Sequence, residues 1–233
     1  MNILVINPII GNDFQAMVEK SLNNQTFTSA KLTIKNIAVG PPAIEGFADE
    51  VLSAPAVLSL IAREEKYYDG FFVNCFGDVA VDAAREITDK PVLGAGEAAF
   101  WLAAAAGVPF SIITIGDNAR NKMAYRFREL GCSRFVSGIG IPEGVLELNI
   151  SPERTAEHII EAANKERERY GAELIVLGCT GMIEVAKLVA KSLPCPIIEP
   201  TSAGIKMLET FVSLGISHPR GGKYMIKPSQ SVI

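Results

Sequence analysis

The chain has 233 residues, 48% of them apolar and 21% charged, with a net charge of −4. That is a globular composition, sufficient for one large domain or two small ones. Dispersed Lys and Arg exclude the basic stripe that nucleic acid demands, and no stretch reaches the roughly 20 apolar residues of a membrane span.

In chain order, the continuous apolar run Asn2–Ile6 predicts a strand covered on both faces, closed by Asn7-Pro8. A helix is expected over Asp13–Leu22, a strand over Leu32–Val39, and a loop at Gly40-Pro41-Pro42. A second helix reads as Ser53–Lys66, with Val57, Leu58 and Ile61 on one face. Phe71–Asn74 is the next strand, Cys75 follows it, and Val79–Ile87 is helical with Asp78 as its expected N-cap. Pro91-Val92-Leu93 opens a short strand, and Glu97–Ala106 is a helix.

The pattern then begins again. Phe110–Ile115 is a strand, Asn118–Leu130 a helix, and Phe135–Ile141 a strand closed by Pro142-Glu143-Gly144. Ser151-Pro152-Glu153 is a helix start, with Ser at the cap and Pro in the first turn, and the helix runs to Tyr170. Leu174–Leu177 is the strand before Cys179, followed by a helix over Ile183–Ser192, the short strand Pro196-Ile197-Ile198 and a helix over Ala203–Leu214. Cys75 lies sixteen residues before Pro91, and Cys179 seventeen before Pro196. A repeat of about 105 residues is too long for a solenoid unit and predicts two similar α/β domains, each a short parallel sheet flanked by helices. Ligands of such sheets bind beyond the carboxyl ends of the strands, where both cysteines fall. The expectation is a single cleft with a thiol on each side.

The four cysteines are Cys75, Cys132, Cys179 and Cys195. None has CxxC spacing or a nearby His, so no metal is expected and free thiols in a reducing compartment fit best. Met1–Ile6 lacks the basic start and cleavage site of a signal peptide, which points to the cytoplasm. Cys132 and Cys195 read as small buried hydrophobes. Cys75 and Cys179 differ: each ends a strand, each has a glycine two residues on, and each precedes a predicted helix start, where negative charge is favoured. Two facing thiols can take a proton from one side of a carbon acid and return one from the other, inverting a stereocentre without a cofactor. The carbanion needs an adjacent carbonyl and donors aimed at its oxygen. The N–H groups of Gly77, Asp78, Thr180 and Gly181, with the Thr180 hydroxyl, are candidates.

Other residues carry bland readings. The Lys165–Arg169 cluster reads as a solvated helix face. Phe76, Phe100 and Trp101 fit the core better than a side-chain pocket. Glu45 sits in a Gly/Pro-rich loop and either touches substrate or is solvated. His158 falls on a surface helix with nothing to mark it as acid or base.

Four segments together resemble the aspartate/glutamate racemase superfamily, and within it the hydantoin racemase branch that includes allantoin racemases. They are Cys75-Phe76-Gly77-Asp78 with Asp82-Ala83-Ala84-Arg85-Glu86, Gly94-Ala95-Gly96-Glu97-Ala98-Ala99, Leu177-Gly178-Cys179-Thr180-Gly181-Met182, and Gly40-Pro41 with Ile44-Glu45-Gly46. The resemblance covers nearly the whole chain. It implies a cofactor-independent two-base reaction with Cys75 and Cys179 as acid and base. It implies substrate contacts from Asn7, Glu45, Phe76, Gly77, Asp78, Thr114, Thr180, Gly181 and Met182, and a small cyclic ureide as substrate. It implies two pseudo-symmetric domains, 1–97 with 205–233 and 98–204, the last helix returning to the first, and a homo-oligomer. The chain departs from the branch at Ile9-Ile10 where Asn-Thr or Asn-Ser is usual, at Ile115 where a second threonine is usual, at Val79-Ala80-Val81 for Pro-Gly-Leu, and at Glu199 for Asp.

Two other functions stay open on the residues. A free amino-acid racemase of the aspartate or glutamate type would need polar loops at Asn7 and Thr114, which Ile9 and Ile115 oppose. A non-catalytic two-domain ligand binder would leave the cysteines as packing. Gly94-x-Gly96 lacks the third glycine of a dinucleotide loop.

Overall fold

Four runs in the first part of the chain form β1 (Asn2–Asn7), β2 (Lys31–Asn36), β3 (Gly70–Val73) and β4 (Val92–Gly94), and four later runs form β5 (Phe110–Ile113), β6 (Val136–Gly140), β7 (Leu174–Leu177) and β8 (Ile197–Ile198). Each set builds one all-parallel sheet, in the orders β2-β1-β3-β4 and β6-β5-β7-β8. The computed structural model describes residues 1–23, 27–131, 133–142, 151–219 and 222–224. Cys132, the Glu143-Gly144 turn, Gly221 and the tail Pro228–Ser231 lie outside the described residues.

The apolar runs are continuous because helices cover both faces of such sheets. Ile3, Leu4, Val5 and Ile6 of β1 and Phe110, Ile112 and Ile113 of β5 are wholly buried. β2, at a sheet edge, is at most half buried and carries Lys31 and Lys35. The helices are α1 (Asn12–Asn23), α2 (Phe47–Glu64), α3 (Val81–Ile87), α4 (Ala95–Ala105), α5 (Asp117–Glu129), α6 (Pro152–Tyr170), α7 (Ala186–Ser192) and α8 (Pro200–Leu214).

The chain divides into two compact units, Met1–Ala95 with Gly204–Ile233, and Gly96–Ala203. The first has a core of Leu4, Ile6, Val57, Ile61, Phe71 and Val73. Its C-terminal helix comes close to the sheet: a methyl group on Gly204 would stand 2.1 Å from the Phe72 ring, and one on Gly70 would stand 3.1 Å from Leu208. The second unit has a core of Ile113, Ile159, Ile175, Leu177 and Val189, with Cys195 packed on it. α6 begins as its residues predict, with Pro152 in the first turn and Ser151 accepting the Arg154 N–H at its side chain.

Several boundaries differ from the sequence expectation, each for a local reason. α2 starts at Phe47 rather than Ser53 and carries Pro55 inside it. The Asp49 carboxylate accepts the N–H groups of Glu45 and Gly46, which anchors the earlier start. α3 starts at Val81 rather than Val79, and its N-cap is Ala80, not Asp78. Both Asp78 (φ 54°) and Ala80 (φ 59°) are left-handed, so the chain after Cys75 makes a tight turn before any helix forms. After Cys179 a 3-10 turn over Thr180–Glu184 precedes α7.

The charged cluster on α6 is not wholly solvated. Glu166 is buried, and its Oε2 lies where Gly138 has no side chain. Phe76 and Phe100 are buried as expected, Phe100 edge-on to Phe127 at 4.5 Å, but Trp101 is 44% exposed and is not a core residue.

Candidate active site: two equivalent strand ends

In an open parallel sheet the gap for a ligand lies where the chain leaves one strand for one side and returns on the other. In the first unit that point falls between β1 and β3, and in the second between β5 and β7. The pairings Ile6 with Val73 and Ile113 with Leu177 put the two halves in common register. One residue further on, Asn7 matches Thr114 and Asn74 matches Gly178. A second step reaches Cys75 and Cys179. Each cysteine therefore stands two residues beyond the strand that borders its own switch point.

The backbone is built alike on both sides. The Asn74 N–H donates to the Ile6 carbonyl at 2.8 Å, and the Gly178 N–H to the Ile113 carbonyl at 2.6 Å. The Asp78 N–H closes a turn onto the Cys75 carbonyl at 3.0 Å, and the Met182 N–H onto the Cys179 carbonyl at 3.1 Å. Asp78 thus spends on the turn the N–H expected as a free donor.

The side chains differ. In the first unit, the Asn74 amide donates to Asn7 Oδ1 at 2.8 Å, and the Asn7 amide donates to Asn36 Oδ1 at 2.8 Å. The Asn36 amide then donates to the Gly11 carbonyl. Asn7 and Asn74 are buried, so this amide ladder satisfies polar groups that burial would otherwise penalise. In the second unit the matching contact is one bond, from the Thr114 hydroxyl to the Gly178 carbonyl at 3.2 Å. Asn36 and Asn74 escaped the sequence reading, because an asparagine at a strand end reads as a terminator. Only the parallel register shows that three of them line up.

Carboxylates also differ. Asp78 packs against the end of β4: a methyl group on Gly94 would stand 2.1 Å from Asp78 Oδ1. The position of Gly94 in β4 corresponds in register to Glu199 after β8. Glu199 accepts the N–H groups of Thr201 at 2.7 Å and Ser202 at 2.8 Å, capping α8. Burial pushes its carboxyl above the ordinary range, against those hydrogen bonds. The Cys179 partner of Asp78 is Met182, which is buried and apolar.

Neither thiol is in a disulfide, and both are half-buried. Burial pushes the Cys179 thiol up, while the N–H groups of Gly181 and Met182 pull it down by less. This corrects the expectation of a thiol lowered by a helix N-terminus, since the turn at Thr180 is too short to supply one. Thr180 is buried, whereas Gly181 is half-buried. Phe76 is buried at the first loop, and Glu45 is exposed. A groove of about 730 Å³ opens in the first unit at the outer end of this ladder, bordered by Gln15, Lys35, Asn36 and Leu52. Among the described residues no cluster of His, Cys, Asp and Glu could hold a metal ion, and no helix is long and apolar enough to cross a membrane.

Paired parallel sheets with a thiol at each switch point define a duplicated α/β enzyme. The model of the Asp/Glu/hydantoin racemase family matches residues 3–208, and the chain belongs to that family, as an isomerase of the racemase class. It is 31% identical to a hydantoin racemase of Paenarthrobacter aurescens over 99% of this chain and 98% of that one. It is 34% identical to a hydantoin racemase of Pseudomonas sp. (strain NS671), over 92% and 87% of the two chains. It is similar to the structure of an allantoin racemase from Klebsiella pneumoniae, with a TM-score of 0.87 and 26% identity over 99% and 95% of the two chains.

Proposed function

We propose that this protein interconverts the enantiomers of a five-membered cyclic ureide, a 5-substituted hydantoin or allantoin, with Cys75 and Cys179 as opposed acid and base and no cofactor. The observation that carries this reading is the register equivalence: two thiols, each two residues past the strand at a switch point, on matching turns. The relatives named above supply the substrate class.

The chemistry follows from the substrate. The hydrogen on the stereogenic carbon lies beside a ring carbonyl, so its removal gives an enolate. One cysteine takes that proton as thiolate, and the other gives its own proton to the opposite face. The acid and base exchange roles when the other enantiomer is bound. Oxyanion donors come from the N–H groups of Gly77, Thr180 and Gly181 and from the Thr180 hydroxyl. Asn7, Glu45, Phe76, Asp78, Thr114 and Met182 surround the ring. The exposed apolar residues Phe47, Val51 and Leu52 of α2 support a homo-oligomer, and a cytoplasmic setting suits Cys75, Cys179 and Cys195, which form no disulfide.

The test is circular dichroism of L-5-substituted hydantoins, allantoin and L-aspartate with purified protein. Loss of optical activity with the first two, and none with aspartate, is expected. Cys75→Ser and Cys179→Ser should each slow racemisation by about a thousandfold or more. Each variant should still exchange the substrate hydrogen of one enantiomer with deuterium. Full racemisation by either single variant overturns the two-base assignment. Because burial raises the Cys179 thiol, the acid limb of kcat/KM should lie on the alkaline side of the ordinary thiol range.

A further inference from the structure

Gly77 has a neighbour that its sequence does not announce. A methyl group there would stand 2.5 Å from Glu50 Oε1 and 3.8 Å from Cys75 Sγ. The carboxylate oxygen of α2 and the sulfur of the first loop therefore flank one point on the Gly77 backbone. Glu50 Oε1 has no accessible surface, so water screens it poorly. A side chain at position 77 would have to push the Glu50 carboxylate aside.

We propose that Glu50 is a positioning residue for Cys75, whose fixed carboxylate holds the proton on that thiol until substrate arrives. The inference rests on the two-base reading and deepens it, by giving Cys75 a control that Cys179 lacks. A buried negative charge disfavours a second one nearby, which makes thiolate formation at Cys75 harder. Other charged groups stand on the elements packed here, each with a partner of its own. Asp49 of α2 holds the N–H groups of Glu45 and Gly46. Asp78 lies against Gly94. Arg85 of α3 is bound to Asp82, Tyr224 and the Val92 carbonyl. At the second site the loop Thr180-Gly181-Met182 carries no acid, and N–H groups face the sulfur instead.

The test is alkylation by iodoacetamide between about pH 6 and pH 10, with each cysteine quantified by mass spectrometry, in the wild type and in Glu50→Gln. The expected result is a midpoint for Cys75 about one pH unit lower in the variant, which is a tenfold faster reaction on the acid side. Cys179 should keep its wild-type midpoint. An unchanged Cys75 midpoint overturns the proposal, and so does an equal shift at both cysteines, which would report loosened structure. Should Glu50→Gln fail to fold, Glu50→Asp retracts the charge by one methylene and is read the same way. It should move Cys75 by a smaller step in the same direction, and no movement overturns the proposal. The readout needs no turnover. A chain that racemises nothing would defeat the proposed function and leave the link between Glu50 and Cys75 to stand or fall by its own midpoints.

Discussion

The two strand ends that carry Cys75 and Cys179 share a backbone and almost nothing else. In the first unit, three amides run hand to hand from Asn74 through Asn7 to Asn36. In the second, the same places hold Gly178, Thr114 and Ile141, with one hydroxyl bond between the first two. A carboxylate reaches the end of β4 from the cysteine loop as Asp78, whereas after β8 the strand itself supplies Glu199. The difference teaches that the parallel sheet fixes where a thiol stands, while its surroundings are free to diverge. The proposed reaction would use that freedom, since two bases that exchange roles need not share the same partners.

The comparison can be broken first at its polar ties. Asn7→Leu removes a partner from both Asn74 and Asn36, and should cost about 3 kcal/mol. The matching change Thr114→Val removes one bond and should cost about 1 kcal/mol. Chemical denaturation measures both, and equal losses would mean that the ladder adds nothing beyond a single bond. Between these two lies Gly178→Ala. Its new methyl group would stand 2.8 Å from Thr114 Cβ and Ile112 Cγ2 and 3.0 Å from the Ile113 carbonyl, for an expected loss of about 2 kcal/mol. The first unit should tolerate Asn74→Ala sterically, since a side chain already stands there.

The smallest effect is a pH difference between the units, readable by hydrogen exchange. His218 accepts the Val92 N–H at 3.0 Å, and burial, then Arg85, lower its pKa from 6.5 to about 4. The folded first unit therefore binds fewer protons than the unfolded chain. Its stability is full above pH 6.5 and falls as the pH drops from 6.5 through 4. Glu166 and Glu199 in the second unit are raised by burial from 4.5. Their contribution is full below pH 4.5 and is lost as the pH rises through their folded values. As the pH falls from 7, amide protection should thus fall in β1 and β3 on the way from 6.5 to 4, and rise in β5 and β7 as Glu166 and Glu199 take up protons. A parallel change in both sheets would refute the contrast.

Much of this was legible in the chain. Continuous apolar runs announced the strands, and the spacing of Cys75 and Cys179 from Pro91 and Pro196 announced the duplication. The parallel α/β architecture followed from that alternation, and the structure has it in both halves. The turns after the cysteines were not legible. Ala80 gives no signal of a positive φ, and Asp78, though a residue that tolerates one, reads first as a helix cap, so the pattern sets the helices too close to both thiols. The start of α2 was hidden by Pro55, which ordinarily ends a helix rather than lying within one. Asn36 and Glu50 were missed for a different reason. Each meets the first site from a distant part of the chain, and no local pattern marks a partner that arrives through register or packing.

The missing side chain at Gly77 also constrains how such a loop can change. Any larger residue there collides with Glu50 Oε1 before it meets substrate. A variant at position 77 therefore first moves the end of the Glu50 side chain, whatever its fit to a new ligand. The two positions are coupled, and a change at one alters what the other can do. A library that varies both together would sample that coupling, which one that varies them singly would miss.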